Sequence, residues 1–261
     1  MDLHLTGKRA FVSGSTQGIG YAIARALLDE GAEVVINGRN QNRVDEAVAT
    51  LKQAGGKVTG IAADFGDAAH VHALLKQLGD VDILINNVGA FEVKPFADVS
   101  DDDWQRYFDI NVMSGVRLSR HLLPGMLERG WGRIIFINSE SGVNVPADMI
   151  HYGASKAAML ALGNGLAKLT RATEVTVNSI LGGPTYSDGV ADAIGAIAQM
   201  QGMDVAGLKS AIAAGNATSI LQRFIEPNEI ASLALYLASP LSSATNGAAL
   251  RADGGVLTAM L

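Results

Sequence analysis

The chain has no cysteine among its 261 residues. Disulfide bonds and thiolate chemistry are therefore excluded, and the sequence gives no sign of its redox compartment. It also lacks any run of about 20 apolar residues, the length a helix needs to cross a bilayer. The opening Met1-Asp2-Leu3-His4-Leu5-Thr6-Gly7-Lys8 does not show the charged-then-apolar order of a secretory signal. The expectation is a soluble cytoplasmic protein with no membrane partner. Basic residues are in deficit: 20 Lys and Arg against 26 Asp and Glu leave a formal net charge of −6. Nucleic-acid binding needs a basic face, so this balance argues against it. The five histidines show no ligand spacing with acids or with one another, and no metal site is expected. Internal repeats and low-complexity linkers are missing too. That leaves one domain over residues 1–261, long enough for a substantial core.

Near the start, Arg9-Ala10-Phe11-Val12-Ser13 reads as a short buried strand, followed at once by Gly14-Ser15-Thr16-Gln17-Gly18-Ile19-Gly20. An alanine- and leucine-rich helical run, Tyr21 to Leu28, comes next. Strand, glycine turn and helix together form the setting of a dinucleotide fingerprint. Glycines let the backbone turn tightly and approach a pyrophosphate, whose charge sits on the helix N-terminus. The spacing here is G-x-x-x-G-x-G rather than G-x-G-x-x-G. The next strand, Glu33 to Asn37, ends in Gly38-Arg39-Asn40, where an NAD site offers an acidic residue to the ribose 2′-hydroxyl. A carboxylate would repel a 2′-phosphate, whereas a guanidinium binds it with charge-assisted bonds. Arg39 therefore points to NADP(H), with Asn37, Ser15 and Thr16 as neutral helpers to the same phosphate.

Tyr152 and Lys156 stand four residues apart on a helical stretch, on one face and about one turn from each other. An ammonium beside a phenol favours the phenolate and is expected to lower the tyrosine pKa toward neutrality. A phenol so tuned serves as a general acid or base. His151 adjoins this tyrosine but points elsewhere on a helix, and Trp104 and Trp131 are expected to pack at element boundaries. Glu92 and Glu140 are loop acids that could face a substrate.

Strand-like runs at 9–13, 33–37, 57–61, 82–86, 132–138, 174–180 and 248–251 alternate with helical ones near 18–30, 40–54, 67–78, 101–125, 151–172 and 227–238. Ser100 before three aspartates, and Pro227 ahead of Glu229, are helix-start signals. The strands are apolar and β-branched, which predicts an α/β fold with a parallel sheet covered on both faces. Ligands in such sheets bind beyond the carboxyl ends of the strands. The loops at 90–99 and 140–150 and the segment 182–221 should therefore meet the substrate.

Taken together, these features resemble the short-chain dehydrogenase/reductase family, and within it the "classical" single-domain oxidoreductases such as 3-oxoacyl-ACP reductase-like members. The family's T-G-x-x-x-G-x-G turn stands as Ser13 to Gly20, with Ser for Thr. Its acidic residue near the adenine matches Asp64, beside Phe65, and its N-N-A-G motif stands as Asn86-Asn87-Val88-Gly89. Its active-site asparagine matches Asn111, and its catalytic serine matches Ser139, thirteen residues before Tyr152. The P-G after the sixth strand stands as Gly182-Gly183, followed by Pro184 and Thr185. Because proline fixes φ and glycine does not, Gly182 implies a looser nicotinamide loop.

The resemblance implies a doubly wound Rossmann-type sheet of seven parallel strands, a lid at about 182–221 and a homo-oligomer, dimer or tetramer. It implies cofactor contacts from Gly14, Ser15, Thr16, Gln17, Gly18, Ile19 and Gly20, from Asn37, Arg39, Asp64, Phe65, Asn87 and Gly89, and from Tyr152, Lys156, Gly183, Pro184 and Thr185. It also implies reduction of a carbonyl compound, or oxidation of the alcohol. Tyr152 then acts as acid or base, Ser139 orients the substrate, Lys156 holds the nicotinamide ribose, and Asn111 anchors a water that links Lys156 to solvent. The alternatives are a catalytically silent NADP sensor or scaffold and an epimerase or dehydratase of the family's extended branch. Substrate identity stays open among 3-oxoacyl thioesters, keto sugars, cyclic ketones and small diketones.

Overall fold

The computed structural model describes residues 2–53 and 55–260. Within them the strands are β1 (Arg9–Val12), β2 (Glu33–Gly38), β3 (Val58–Ala62), β4 (Ile83–Asn86), β5 (Trp131–Ser139), β6 (Glu174–Gly182) and β7 (Ala249–Ala252). The helices are α1 (Gly18–Asp29), α2 (Gln41–Gln53), α3 (Ala68–Leu78), α4 (Asp101–Tyr107), α5 (Met113–Glu128), α6 (Ile150–Ala167), α7 (Asp188–Gln201), α8 (Val205–Gly215) and α9 (Pro227–Ala238). All seven strands run parallel in the order β3-β2-β1-β4-β5-β6-β7. The order reverses between β1 and β4, and at such a switch point the loops splay apart and leave a crevice.

Alternation along the strands sends successive side chains to opposite faces. Ala10 and Val12 of β1, Val34 and Ile36 of β2, and Ile135 and Ile137 of β5 join one core, with Ile23 and Leu27 of α1 and Ile230 and Leu237 of α9. Phe11, Val35, Ile134 and Phe136 point the other way, against Leu74 of α3, Leu118 and Leu122 of α5 and Met159 of α6. Each strand is thus apolar on both sides, which is why the sequence reads as nearly continuous hydrophobic runs.

Helix starts follow local chemistry. Ser100 accepts from the Asp103 amide while the Asp103 carboxylate accepts from the Ser100 amide, a reciprocal cap. Pro227 opens α9 where its missing N–H costs nothing. The structure departs from the sequence expectation in three places. The helix expected over 101–125 is broken by a wider π turn, Phe108–Val112, between α4 and α5. The helix expected to reach 172 ends at Ala167 and tightens into a single 3₁₀ turn, Lys168–Thr170. The segment 182–221, which carried no helix assignment, forms α7 and α8. The expected end of α2, Ala54, lies outside the described residues. No helix among the described residues is long and apolar enough to cross a membrane.

Candidate active site

At the switch point a cleft of about 860 Å³ opens over the glycine turn. Gly14 and Gly18 hold φ of 60° and 61°, a region side chains rarely adopt. A Cβ on Gly20 would come within 2.4 Å of the Gly14 carbonyl oxygen, so that position admits only glycine. The turn is braced from below. Ser13 Oγ donates to the Ile85 carbonyl and accepts the amides of Asn87 and Val88 at 2.9 and 3.2 Å. Asn87 Nδ2 in turn donates to the carbonyls of Ser13 and Gly14. The N-N-V-G segment after β4 thus locks the glycine turn in place.

Of the residues assigned to the cofactor, Gly14, Thr16, Gln17, Asn37, Arg39, Asp64, Phe65, Asn87 and Gly89 line the cleft. Two of the assigned side chains are engaged with the protein's own backbone. Ser15 Oγ is fully buried, donates to the Val12 carbonyl and accepts the Asn37 amide. The Asn37 side chain accepts from the Gly14 amide and donates to the carbonyls of Ile61 and Ala63. Both hydroxyl and amide are engaged in shaping the turn. Thr16 and Arg39 remain on the wall, joined by Arg43, whose Nη1 donates to Gln17 Oε1 at 3.4 Å. Sequence reasoning missed Arg43, although its place four residues after Arg39 puts it on the first turn of α2. Gly183, Pro184 and Thr185 follow β6 outside that lining; Thr185 Oγ1 donates to the Gly183 carbonyl, and Pro184 accepts the Ile225 amide. Ile19 is half-buried on α1, and the Gly18 amide donates to the Asp188 carboxylate at the start of α7 at 2.6 Å.

Beside the cleft, β5 delivers Ser139 and α6 delivers Tyr152 and Lys156. Asn138, given no role by sequence reasoning, accepts the Ser139 amide and donates to the Lys156 carbonyl, tying the strand to the helix. Ser139 Oγ accepts the Ser141 amide at 3.1 Å. Lys156 Nζ is buried, donates to the Ile137 carbonyl at 3.2 Å and lies 5.7 Å from the centre of the Tyr152 ring. Asn111 stands in the π turn, fully buried. Its Oδ1 accepts the Ala90 amide at 2.7 Å, and its Nδ2 donates to the Ala90 carbonyl and to Ser155 Oγ. Asn111 therefore clamps the loop after β4 onto the tyrosine helix, and the π turn, a common functional irregularity, sets it there.

The expected lowering of the tyrosine pKa is not what this structure shows. Burial pushes Tyr152 up to about 12; the Ser139 hydrogen bond opposes the shift and the Glu140 charge adds to it. Burial alone brings Lys156 down to about 8. Lys156 is buried and Tyr152 half-buried, and the ammonium is bonded to a carbonyl rather than to the phenol. Tyr152 is thus a protonated donor at neutral pH. Glu140 is raised first by burial, is partly relieved by the Ser141 hydroxyl, and is raised further by Asp253. His151 is fully buried between the Tyr107 ring at 4.4 Å and the Trp104 ring at 6.3 Å, away from the cleft. Trp131 lies at the start of β5 under the Lys8 ammonium. Among the described residues no group of three or more His, Cys, Asp or Glu could hold a metal ion.

The family profile described as short chain dehydrogenase matches residues 8–195. The chain belongs to the short-chain dehydrogenase family. This short-chain dehydrogenase is 44% identical over 264 residues to the uncharacterized oxidoreductase YvrD of Bacillus subtilis, covering 100% of both chains. It is 34% identical over 257 residues to a D-beta-hydroxybutyrate dehydrogenase of Cupriavidus necator, covering 96% of this chain and 98% of the relative. Its fold matches L-sorbose reductase from Gluconobacter frateurii, solved with NADPH and L-sorbose, with a TM-score of 0.95, 32% identity and 100% of each chain covered.

Proposed function

We propose that this short-chain dehydrogenase uses NADP(H) to interconvert a ketone and a secondary alcohol, with Ser139, Tyr152 and Lys156 as its catalytic residues. The observation that carries this reading is the meeting of Tyr152 with the buried Lys156, 5.7 Å from its ring centre, beside Phe91 of the glycine-turn cleft. The residues present fit the cofactor. Gly14 and Gly18 give the turn its positive φ and Gly20 lets α1 start against the Gly14 carbonyl, which sets the α1 N-terminus at the cleft where a diphosphate would sit; there the Gly18 amide now holds the Asp188 carboxylate, an anion in the same position. Arg39 and Arg43 supply two guanidinium groups for a 2′-phosphate, and Asp64 and Phe65 flank the adenine end. NADPH-bound L-sorbose reductase, which shares the whole fold, supports the same choice.

A nicotinamide held here would supply the hydride for the carbonyl carbon. As charge grows on the carbonyl oxygen, Tyr152 donates its proton there and Ser139 donates a hydrogen bond, stabilising charge where it develops. Lys156, placed by the Asn138 and Ile137 contacts, holds the nicotinamide ribose. Asn111 fixes the loop carrying Gly89 and Ala90 against the same helix, and a water beside it would return the proton to Lys156 and Tyr152. The segment 182–221, with α7 and α8, acts as the lid over the substrate. Self-association of the chain belongs to the same reading and rests on family membership. The test is NADPH oxidation by the wild-type protein across ketones of different shape. Turnover with NADPH that exceeds turnover with NADH supports the reading; bound NADPH with no carbonyl reduced contradicts it.

A further inference from the structure

The first helical amide of α1 holds an anion that the chain itself supplies. Gly18 N–H donates to Asp188 Oδ2 at 2.6 Å, a contact between residues 170 positions apart. Gly18 opens α1, and the residue before it, Gln17, lines the cleft together with Gly14 and Thr16. Gln17 contributes no side-chain cap, and the first turn of α1 holds no acidic residue. The negative group at this helix start therefore comes from Asp188, the first residue of α7. The two elements meet closely: a Cβ on Gly18 would lie 3.4 Å from the Ser187 Cβ and 4.0 Å from Asp188 Oδ2.

The way Asp188 is mounted lets it leave. Up to Tyr186 the chain is pinned to residue Ile225: Thr185 and Ile225 form a parallel bridge, the Tyr186 amide donates to the Ile225 carbonyl at 2.8 Å, and the Ile225 amide donates to the Pro184 carbonyl at 2.9 Å. Beyond that anchor the hold is slight. Helix α7 buries only Ile194 and Ala198, and α8 buries no residue. An element with so few buried contacts opens at low cost. A carboxylate and a diphosphate both seek the amides at a helix start, and two anions brought together there repel.

We propose that Asp188 is an internal competitor for the diphosphate of the cofactor: its carboxylate holds the Gly18 amide until the diphosphate displaces it, and that exchange frees the start of α7. This rests on the NADP(H) reading of the cleft and adds a device to it. Cofactor affinity is then set below what the glycine turn alone would give, and the position of α7 is tied to cofactor binding.

Binding and hydrogen exchange test the proposal without turnover. The probes are NADPH, titrated by its fluorescence, and 2′-AMP, measured by its displacement of NADPH. The second carries the adenine and the 2′-phosphate but no diphosphate. Asp188→Asn and Asp188→Ala should each bind NADPH about threefold or more tighter than the wild type, a gap that added salt narrows. All three proteins should bind 2′-AMP alike. Without cofactor, the amides of α7 should exchange faster in both variants than in the wild type. With saturating NADPH they should exchange at one rate, because the Gly18 bond is then broken in each. Asp188 is exposed, and circular dichroism reports that the variants fold. Unchanged or weaker NADPH binding in the variants overturns the proposal. Equal tightening of NADPH and 2′-AMP overturns it too, since that reports only a lost charge. So does a difference in α7 exchange that NADPH leaves as large as before. If neither NADPH nor 2′-AMP binds any of the three folded proteins, the NADP(H) reading itself fails and this proposal with it.

Discussion

Replacing Ser13 by alanine tests how the cofactor cleft is held. The Ser13 hydroxyl is fully buried and accepts two amides, those of Asn87 and Val88. Its loss leaves both without an acceptor, at about 1–3 kcal/mol for each buried donor. Asn87 and Val88 are only half-buried, so water reaches the site in part and the sum falls near the lower end, about 2–3 kcal/mol. For a domain of this size that is a fall in Tm of about 4–12 °C. Asn87 Nδ2 also holds the Gly14 carbonyl, so the same substitution loosens the glycine turn and should weaken NADPH binding. Thermal unfolding followed by circular dichroism, with NADPH titrated by its fluorescence, measures both effects. Ser13→Thr keeps the hydroxyl and should retain cofactor affinity. A Ser13→Ala protein with unchanged Tm and unchanged NADPH affinity would refute the reasoning.

The remaining predictions follow from single groups. Arg39→Ala should weaken NADPH by about tenfold relative to NADH, through loss of charge-assisted bonds at an exposed site. Arg43→Ala should act in the same direction, and equal losses for both cofactors in both variants would remove these residues from 2′-phosphate recognition. The Lys156 pKa is about 8 when folded against an ordinary 10.5, so the unfolded chain holds the extra proton between those values. Stability therefore rises with pH across that window. Between pH of about 7.5 and about 9.5, the urea midpoint should rise more for the wild type than for Lys156→Met. Equal changes would show that Lys156 is not depressed by burial.

Most of the fold was legible because its signals are redundant. β-branched runs, the glycine turn and helix starts such as Ser100 and Pro227 all agree on parallel βα units. Tyr152 and Lys156 were legible because one helical turn fixes their spacing, and family resemblance set Ser139 thirteen residues earlier. The directions of polar side chains were not. Ser15 and Asn37 sit where a phosphate helper would, yet both turn inward to bond the backbone, a choice set by the three-dimensional turn. The tyrosine pKa was misjudged for a related reason: the spacing shows a nearby ammonium but not the burial that outweighs it. The π turn at Phe108–Val112 left no trace in the periodicity, because one extra residue in a long helical run shifts the pattern only slightly. Helices α7 and α8 are rich in alanine and glycine and bury little, so no apolar stripe announced them.

The central claim is that Tyr152 is the proton donor of an NADPH-dependent carbonyl reduction. Its most direct test compares the wild type with Tyr152→Phe on a ketone that the wild type reduces, with NADPH binding measured in parallel. The account predicts that the variant binds NADPH nearly as well and loses turnover almost entirely, by about a hundredfold or more. A variant that keeps turnover, or one that loses NADPH binding along with it, would contradict the account.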